Sequence, residues 1–218
     1  TVGVLGALSD TAGIVAAGEL PSVRLPSPDR SLPQPLRHAL LRRRSGRSYA
    51  PRAVPLAAVS ELLWAAQGIT AVGGRRTAPS AGALYPLELH LVAARVTGLA
   101  AGVYRYVANA HELSLVMAEA VTPALARAAL SQQSVADAAV VVVIAAVEER
   151  TARKYGTRAN RYVAFEAGAA SQNLALQAAA LGLATVVIGA FDDSAVARVL
   201  RLPSGERPVA LMPIGVPA

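Results

Sequence analysis

Apolar and polar residues change their spacing several times along this chain, and each change marks an element. From Arg158 to Leu181 alanine and leucine dominate, proline is absent and Gly168 is the one glycine, which predicts a helix about 36 Å long. Apolar side chains fall on nearly every face of it. The pattern therefore predicts a helix buried all round, with Glu166, Ala170, Asn173 and Gln177 as one thin polar stripe. Two readings stay open: a core helix whose few polar groups are bonded internally, or a helix shared with a second subunit. The small residues Ala167, Gly168, Ala169, Ala170 and Ser171 would let another backbone pack close. Gly182 suits the left-handed residue that ends a helix. Ala184 to Ile188 then reads as a strand, and Gly189 leaves room for a ligand at its end.

The remaining pattern is arranged around that unit. Thr1 to Arg30, punctuated by glycines and then by Pro21, Pro26 and Pro28, reads as an arm or lead-in, with one domain over 31–218. Pro35 to Arg44 predicts a short helix. Pro55 at a first helical position predicts a second, in which Val59, Leu62, Leu63 and Ala66 recur at helical spacing up to Gly68. Leu87 to Ala94 is a strand, and Val103 to Val107 with Glu112 to Met117 alternates in period two as an antiparallel hairpin. Thr122 and Pro123 are expected to cap a short helix. The run AAVVVVIAAV, 138–147, is apolar and β-branched throughout, the mark of a central strand covered on both faces. Ser194 to Leu200 predicts a last helix and Val209 to Ile214 a last strand. Helices and strands alternate, yet the hairpin excludes an all-parallel sheet, so the class is α+β.

Composition narrows the function. With 54% apolar and 16% charged residues the chain is globular, and no uninterrupted apolar run reaches the length of a membrane span. The net charge of +7 is spread over scattered arginines with only 4% aromatics and no nucleic-acid motif, so nucleic acid is not expected as a partner. Absence of cysteine removes disulfides, thiolate catalysis and Fe–S clusters. His38, His90 and His111 lack metal spacing, so no metal site is expected. There is no Walker loop, no GxGxxG and no GxSxG; an enzyme built this way needs an organic cofactor. Location in the cytoplasm is expected, with an export signal removed before Thr1 left open.

Two segments carry candidate chemistry. Arg42, Arg43, Arg44 and Arg47 with Ser45 can grip a phosphate through charge-assisted hydrogen bonds, or form a solvated helix end. Thr77 to Pro86, TAPSAGALYP, is either a small-residue loop on which a planar ligand lies or a plain connector. One lysine, Lys154, stands among the 21 Lys and Arg residues.

RRSGRSY at 43–49, TAPSAGALYPLEL at 77–89, KYGTRANRYVAFEAGAASQN at 154–173 and GLATVVIGAF at 182–191 resemble the nitroreductase-like flavoproteins, and among them the SagB-type branch that forms thiazoles and oxazoles. The resemblance covers residues 26–217. It implies a nitroreductase-like fold, a homodimer with a long helix at its interface, and two FMN sites built from both chains. Arg43, Arg44, Ser45 and Arg47 match the segment that holds the phosphate and ribityl end. Pro79, Ser80, Ala81, Gly82 and Ala83 match the loop along the flavin, and Ile188, Gly189 and Ala190 the turn facing N5. Lys154 and Tyr155 match a pair placed beside the flavin in azoline-oxidising members, where a desolvated neutral amine would take a proton and the phenol would orient it. Three departures stand out: Ala83 replaces a frequent Asn, Ala169 replaces the histidine of EAGH, and Gly215 to Ala218 is not the basic segment that nitroreductases often add at the phosphate, so Arg76 or Arg207 is expected to assist Arg43 to Arg47 there. The expected activity is ping-pong hydride transfer through FMN, acting on a small-molecule or peptide-bound heterocycle. The alternatives are a general NAD(P)H-dependent nitro or quinone reductase and a non-catalytic flavin-binding relative.

Overall fold

The computed structural model describes residues 21–28 and 36–218. In chain order the elements are β1 (Ser22–Arg24), α1 (Leu36–Arg42), β2 (Val54–Pro55), α2 (Leu56–Gln67), β3 (Ile69–Ala71), β4 (Arg75–Arg76), β5 (Leu87–Ala93), β6 (Val96–Thr97), β7 (Gly102–Val107) and β8 (Glu112–Met117). There follow α3 (Thr122–Ala128), α4 (Gln133–Ala136), β9 (Val140–Ala146), α5 (Glu149–Tyr155), α6 (Ala159–Ala180), β10 (Ala184–Thr185), α7 (Asp193–Leu200) and β11 (Arg207–Gly215).

The sheet is centred on the most apolar run. Every residue of β9 is buried, as a β-branched strand covered on both faces requires. It lies between β5 and β11 in the order β1-β8-β7-β5-β9-β11-β10, and each pair of neighbours is antiparallel. Parallel pairing occurs only beside this sheet among the described residues, between β2 and β6 and at the bridge Ser45–Thr185. Alternate residues of β9 feed two cores. Val142 and Ile144 pack with Leu62 and Leu63 of α2 and with Val163 and Leu174 of α6. Val141 and Val143 pack with Leu125 of α3 and with Val196 and Leu200 of α7. The architecture is α+β, a mainly antiparallel sheet flanked by helices with one long helix across it.

Several expected features are corrected. The long helix is present as α6 and ends in a left-handed Gly182, where Leu183 N–H donates to Ala178 O at 2.8 Å. In the single chain it is not buried all round: Val163, Ala170 and Leu174 face the core, whereas Arg161, Ala164, Phe165, Gly168 and Gln172 are exposed. Alanine hides this division, because its methyl group reads as apolar on either face. The polar stripe is inward, with Glu166 and Ala170 buried and Asn173 and Gln177 half-buried.

The strand expected over 184–188 is only two residues long. Its register continues, with Thr185 opposite Ile214 and Ile188 opposite Leu211, but Pro213 lies between and has no N–H to donate. Thr185 Oγ1 and Tyr49 Oη donate to the Pro213 carbonyl instead. Pro55 caps α2 rather than entering it, and Val121, not Thr122, is the N-cap of α3. Ser22–Arg24, inside the stretch expected as a lead-in, is the edge strand paired with β8; residues 1–20 and 29–30 of that stretch lie outside the described residues. Among the described residues no helix is long and apolar enough to cross a membrane.

Candidate functional site

The loop between Thr77 and Pro86 is shaped by residues that leave ordinary backbone conformation. Gly82, Ala83 and Tyr85 have φ of +63, +55 and +46 degrees, so a single 3₁₀ turn over Ala81–Ala83 reverses sharply. Side chains pin it on both sides. Tyr85 N–H donates to Ser80 Oγ at 2.8 Å, and Ala81 N–H donates to Glu166 Oε1 of α6 at 2.9 Å. Burial raises the Glu166 carboxyl above its ordinary value, although the hydrogen bonds from Ala81 and Ser80 pull the other way.

Lys154 and Tyr155 meet this loop. A Cβ on Gly82 would lie 2.9 Å from Tyr155 Oη and 3.0 Å from Lys154 Nζ, so the tips of both side chains close on the turn at this glycine. They end α5, and Gly156, at a φ of +55 degrees, then turns the chain toward α6. Tyr155 packs edge-on against Tyr162 with centroids 4.8 Å apart. Lys154 itself is exposed in the single chain, so the desolvation expected for it is absent there.

The arginine segment is held at the β10 edge of the sheet. Gly46 N–H donates to Thr185 O at 2.9 Å, Ala50 N–H donates to Val216 O at 2.9 Å, and the buried Tyr49 hydroxyl donates to Gly46 O or Pro213 O. Gly46 is required here because a Cβ would sit 2.7 Å from the Ala184 Cβ. Arg44 donates to Leu41 O and Arg43 O at the end of α1; with Arg42 it lines a cavity of about 220 Å³ that also reaches Gly46, Ala184 and Thr185. Arg43 is half-buried, and Ser45 and Arg47 are exposed. Ile188 is paired with Leu211, Gly189 faces open space, and Ala190 O accepts from Gln132 Nε2 at 2.8 Å.

The expected residues thus form two groups: Pro79–Ala83 with Lys154 and Tyr155, and Arg43–Arg47 followed across the sheet edge by Ile188–Ala190. Among the described residues no hydrogen bond joins the two groups. Arg76 and Arg207 are engaged elsewhere, Arg76 with Gln67 and Arg207 with Glu148 and Asn160, so neither is tied to the arginine segment. Glu166 was legible only as part of a polar stripe. Nothing in the sequence pointed to its bond with Ala81, which is made across 85 positions. No group of side chains able to hold a metal ion occurs among the described residues.

Comparison with known proteins decides the family. The model of the nitroreductase family matches residues 40–216. The chain belongs to the nitroreductase family. It is 43% identical over 180 residues to a candidate nitroreductase of Methanocaldococcus jannaschii, covering 83% of this chain and 90% of that one. A crystal structure of a candidate nitroreductase from Ralstonia eutropha superposes with a TM-score of 0.79 at 30% identity over 90% of each chain. The E. coli microcin synthetase McbBCD complex with truncated pro-MccB17 superposes with a TM-score of 0.71 at 23% identity, over 98% of this chain and 84% of that one; at that identity it shows the shared fold. Members of the nitroreductase family are in general oxidoreductases and typically flavoproteins, and this chain is a nitroreductase-family oxidoreductase.

Proposed function

We propose that this protein is an FMN-dependent oxidoreductase working by ping-pong hydride transfer, and that it oxidises an azoline ring with Lys154 as base. The observation that carries the reading is the convergence of Lys154 Nζ and Tyr155 Oη on Gly82, inside the small-residue loop. The residues suit FMN. Guanidinium groups beside a cavity of about 220 Å³ offer donors for a phosphate, and Gly189 leaves open space at the end of the strand.

Arg43, Arg44, Ser45 and Arg47 would hold the phosphate and ribityl end. Pro79, Ser80, Ala81, Gly82 and Ala83 would lie along the ring, with Ile188, Gly189 and Ala190 at its reactive edge. When bound, FMN supplies a two-electron acceptor or donor for hydride at N5. The separation of the two residue groups supports a homodimer in which each site is completed by a second copy. Exposed Leu36, Leu40 and Leu41 on α1 and Phe165 on α6 are the apolar surface such a dimer would cover.

Conversion of an azoline to an azole removes a hydride from one ring carbon and a proton from its neighbour. Lys154 takes that proton and Tyr155 Oη orients the amine. The exposed amine would be enclosed when the second copy, cofactor and substrate close over it.

The names of the 43% and 30% identical relatives favour a second reading, reduction of nitro compounds or quinones by NAD(P)H, in which no base is required. Lys154→Ala separates the two. Azoline oxidation should fall by about 100-fold or more while quinone reduction stays within about twofold; equal activity of variant and wild type in both assays leaves the reductase reading. Purified protein that is colourless and takes up no added FMN removes both.

A further inference from the structure

A cavity of about 320 Å³ opens beside β5 and β7, and nothing in the proposed chemistry uses it. Its lining includes Arg76, Arg105 and Arg150 around a single carboxylate, Glu88, with Gln67 and Asn109 as further polar groups. Glu88 is already committed on both oxygens: Arg150 Nη2 donates to Oε1 at 2.6 Å, and Arg105 Nη2 lies 2.9 Å from Oε2. Burial alone would raise the Glu88 carboxyl, but the hydrogen bonds and charge of Arg105 and Arg150 outweigh it and hold the group below its ordinary value.

Arg76 is left over. Its Nη1 donates to Gln67 Oε1 at 2.8 Å and its guanidinium stacks 4.7 Å from the Tyr85 ring centroid, yet it forms no salt bridge among the described residues. Three arginines against one carboxylate leave two positive charges in a partly enclosed space. Charges held that way are costly without a counter-charge, and guanidinium forks match an oxyanion in geometry as well as sign.

The position of the cavity adds a direction. Arg150 Nη1 donates to Tyr85 O at 2.9 Å, and Tyr85 N–H donates to Ser80 Oγ, so the cavity abuts the loop from behind. Arg150 and Lys154 are one turn apart on α5, about 6 Å along the helix axis. We propose that this cavity binds a small oxyanion, a carboxylate or phosphate carried by the substrate, held by Arg76 with Arg105 and Arg150 about one helical turn from Lys154. The word substrate rests on the function proposed above; the oxyanion site stands on its own residues.

The test uses the full chain, carrying whatever FMN it takes up, labelled with 15N and titrated separately with inorganic phosphate and with succinate at constant ionic strength. The arginine Nε–H resonances are read, with those of Arg76 and Arg105 assigned through Arg76→Gln and Arg105→Gln. Saturable shifts at Arg76 and Arg105 are expected. Affinity should fall about tenfold or more in Arg76→Gln, and also in Asn109→Asp, which adds a negative charge at an exposed position without disturbing the fold. Saturation by phosphate alone makes the group a phosphate ester, and by succinate alone a carboxylate; either supports the site. Shifts that never saturate with either anion, shifts confined to Arg43–Arg47, or unchanged affinity in both variants would overturn it. Flavin absorbance of the same samples keeps the two proposals apart. Absence of FMN with a saturable Arg76 removes the flavin reading and leaves this site, whereas full FMN uptake without saturation removes this site alone.

Discussion

Ala83 carries a side chain through a left-handed conformation, at φ +55 degrees, that costs an ordinary L-residue about 1–2 kcal/mol. Asn adopts this conformation more readily, and Asn is the residue that many nitroreductases have at the matching position. Ala83 is exposed, so a larger side chain has room. Ala83→Asn should therefore raise stability by up to about 1 kcal/mol in denaturant unfolding; a destabilised variant would mean that the turn tolerates no side chain beyond a methyl. A second residue-level outcome concerns Glu88. Its folded pKa lies below the ordinary 4.5, so its contribution to stability is present above about pH 4.5 and is lost as the pH falls through the folded value. Glu88→Gln should flatten the acid limb of the stability curve below that point, and parallel acid limbs in variant and wild type would contradict the pairing with Arg105 and Arg150. Neither feature is legible from the residues alone. Alanine and tyrosine have no left-handed preference to read, and Glu88, Arg105 and Arg150 meet only through strand pairing and the packing of α5.

At the level of elements, what was legible followed apolar periodicity. β9, β5, the hairpin β7–β8 and α2 stand where their patterns put them, because each buries one or both faces in the sheet. α5 was missed. Its ERTARKY has almost no apolar residue to set a period, and it is helical because Thr151 is buried and the segment packs on α6. β10 was read too long since strand propensity is a property of its own residues, whereas the interruption belongs to Pro213 on its neighbour. The arginine segment was found from composition, but its mounting on Thr185 and Val216 was not. That mounting is testable through Gly46→Ala. The added methyl meets Ala184, so the segment should lift from β10, with a loss of about 1–3 kcal/mol and weaker FMN binding in a flavin titration. Wild-type stability and affinity would show that the segment is not held by this contact.

For the whole molecule the question is what covers the outer face of α6. Apart from its own helix backbone and its chain neighbours, no atom lies within 4 Å of a Cβ placed on Gly168, so Gly168→Leu should not harm the single chain. Leucine is the better helix former by about 0.8 kcal/mol, and the isolated fold should gain from it. If a second copy packs there, the same change should separate the copies and release flavin. Sedimentation of the variant would then give a stable, colourless monomer; a coloured dimer would place the subunit contact elsewhere.

The inward stripe of α6 acts as a registration bar. Glu166 accepts from Ala81 N–H, Asn173 Nδ2 donates to Thr77 O, and Gln177 Nε2 donates to Glu61 Oε2. These three latches span about 16 Å of helix. A one-turn slip would set each polar group against the wrong neighbour, so the helix has one allowed position instead of a range. Motion imposed on the loop at Ala81 must then travel with α6 as a rigid rod or release the latches together. The far side of that rod presents Gly168 and Phe165 to the outside, so a push at one loop would arrive there as displacement of a whole surface.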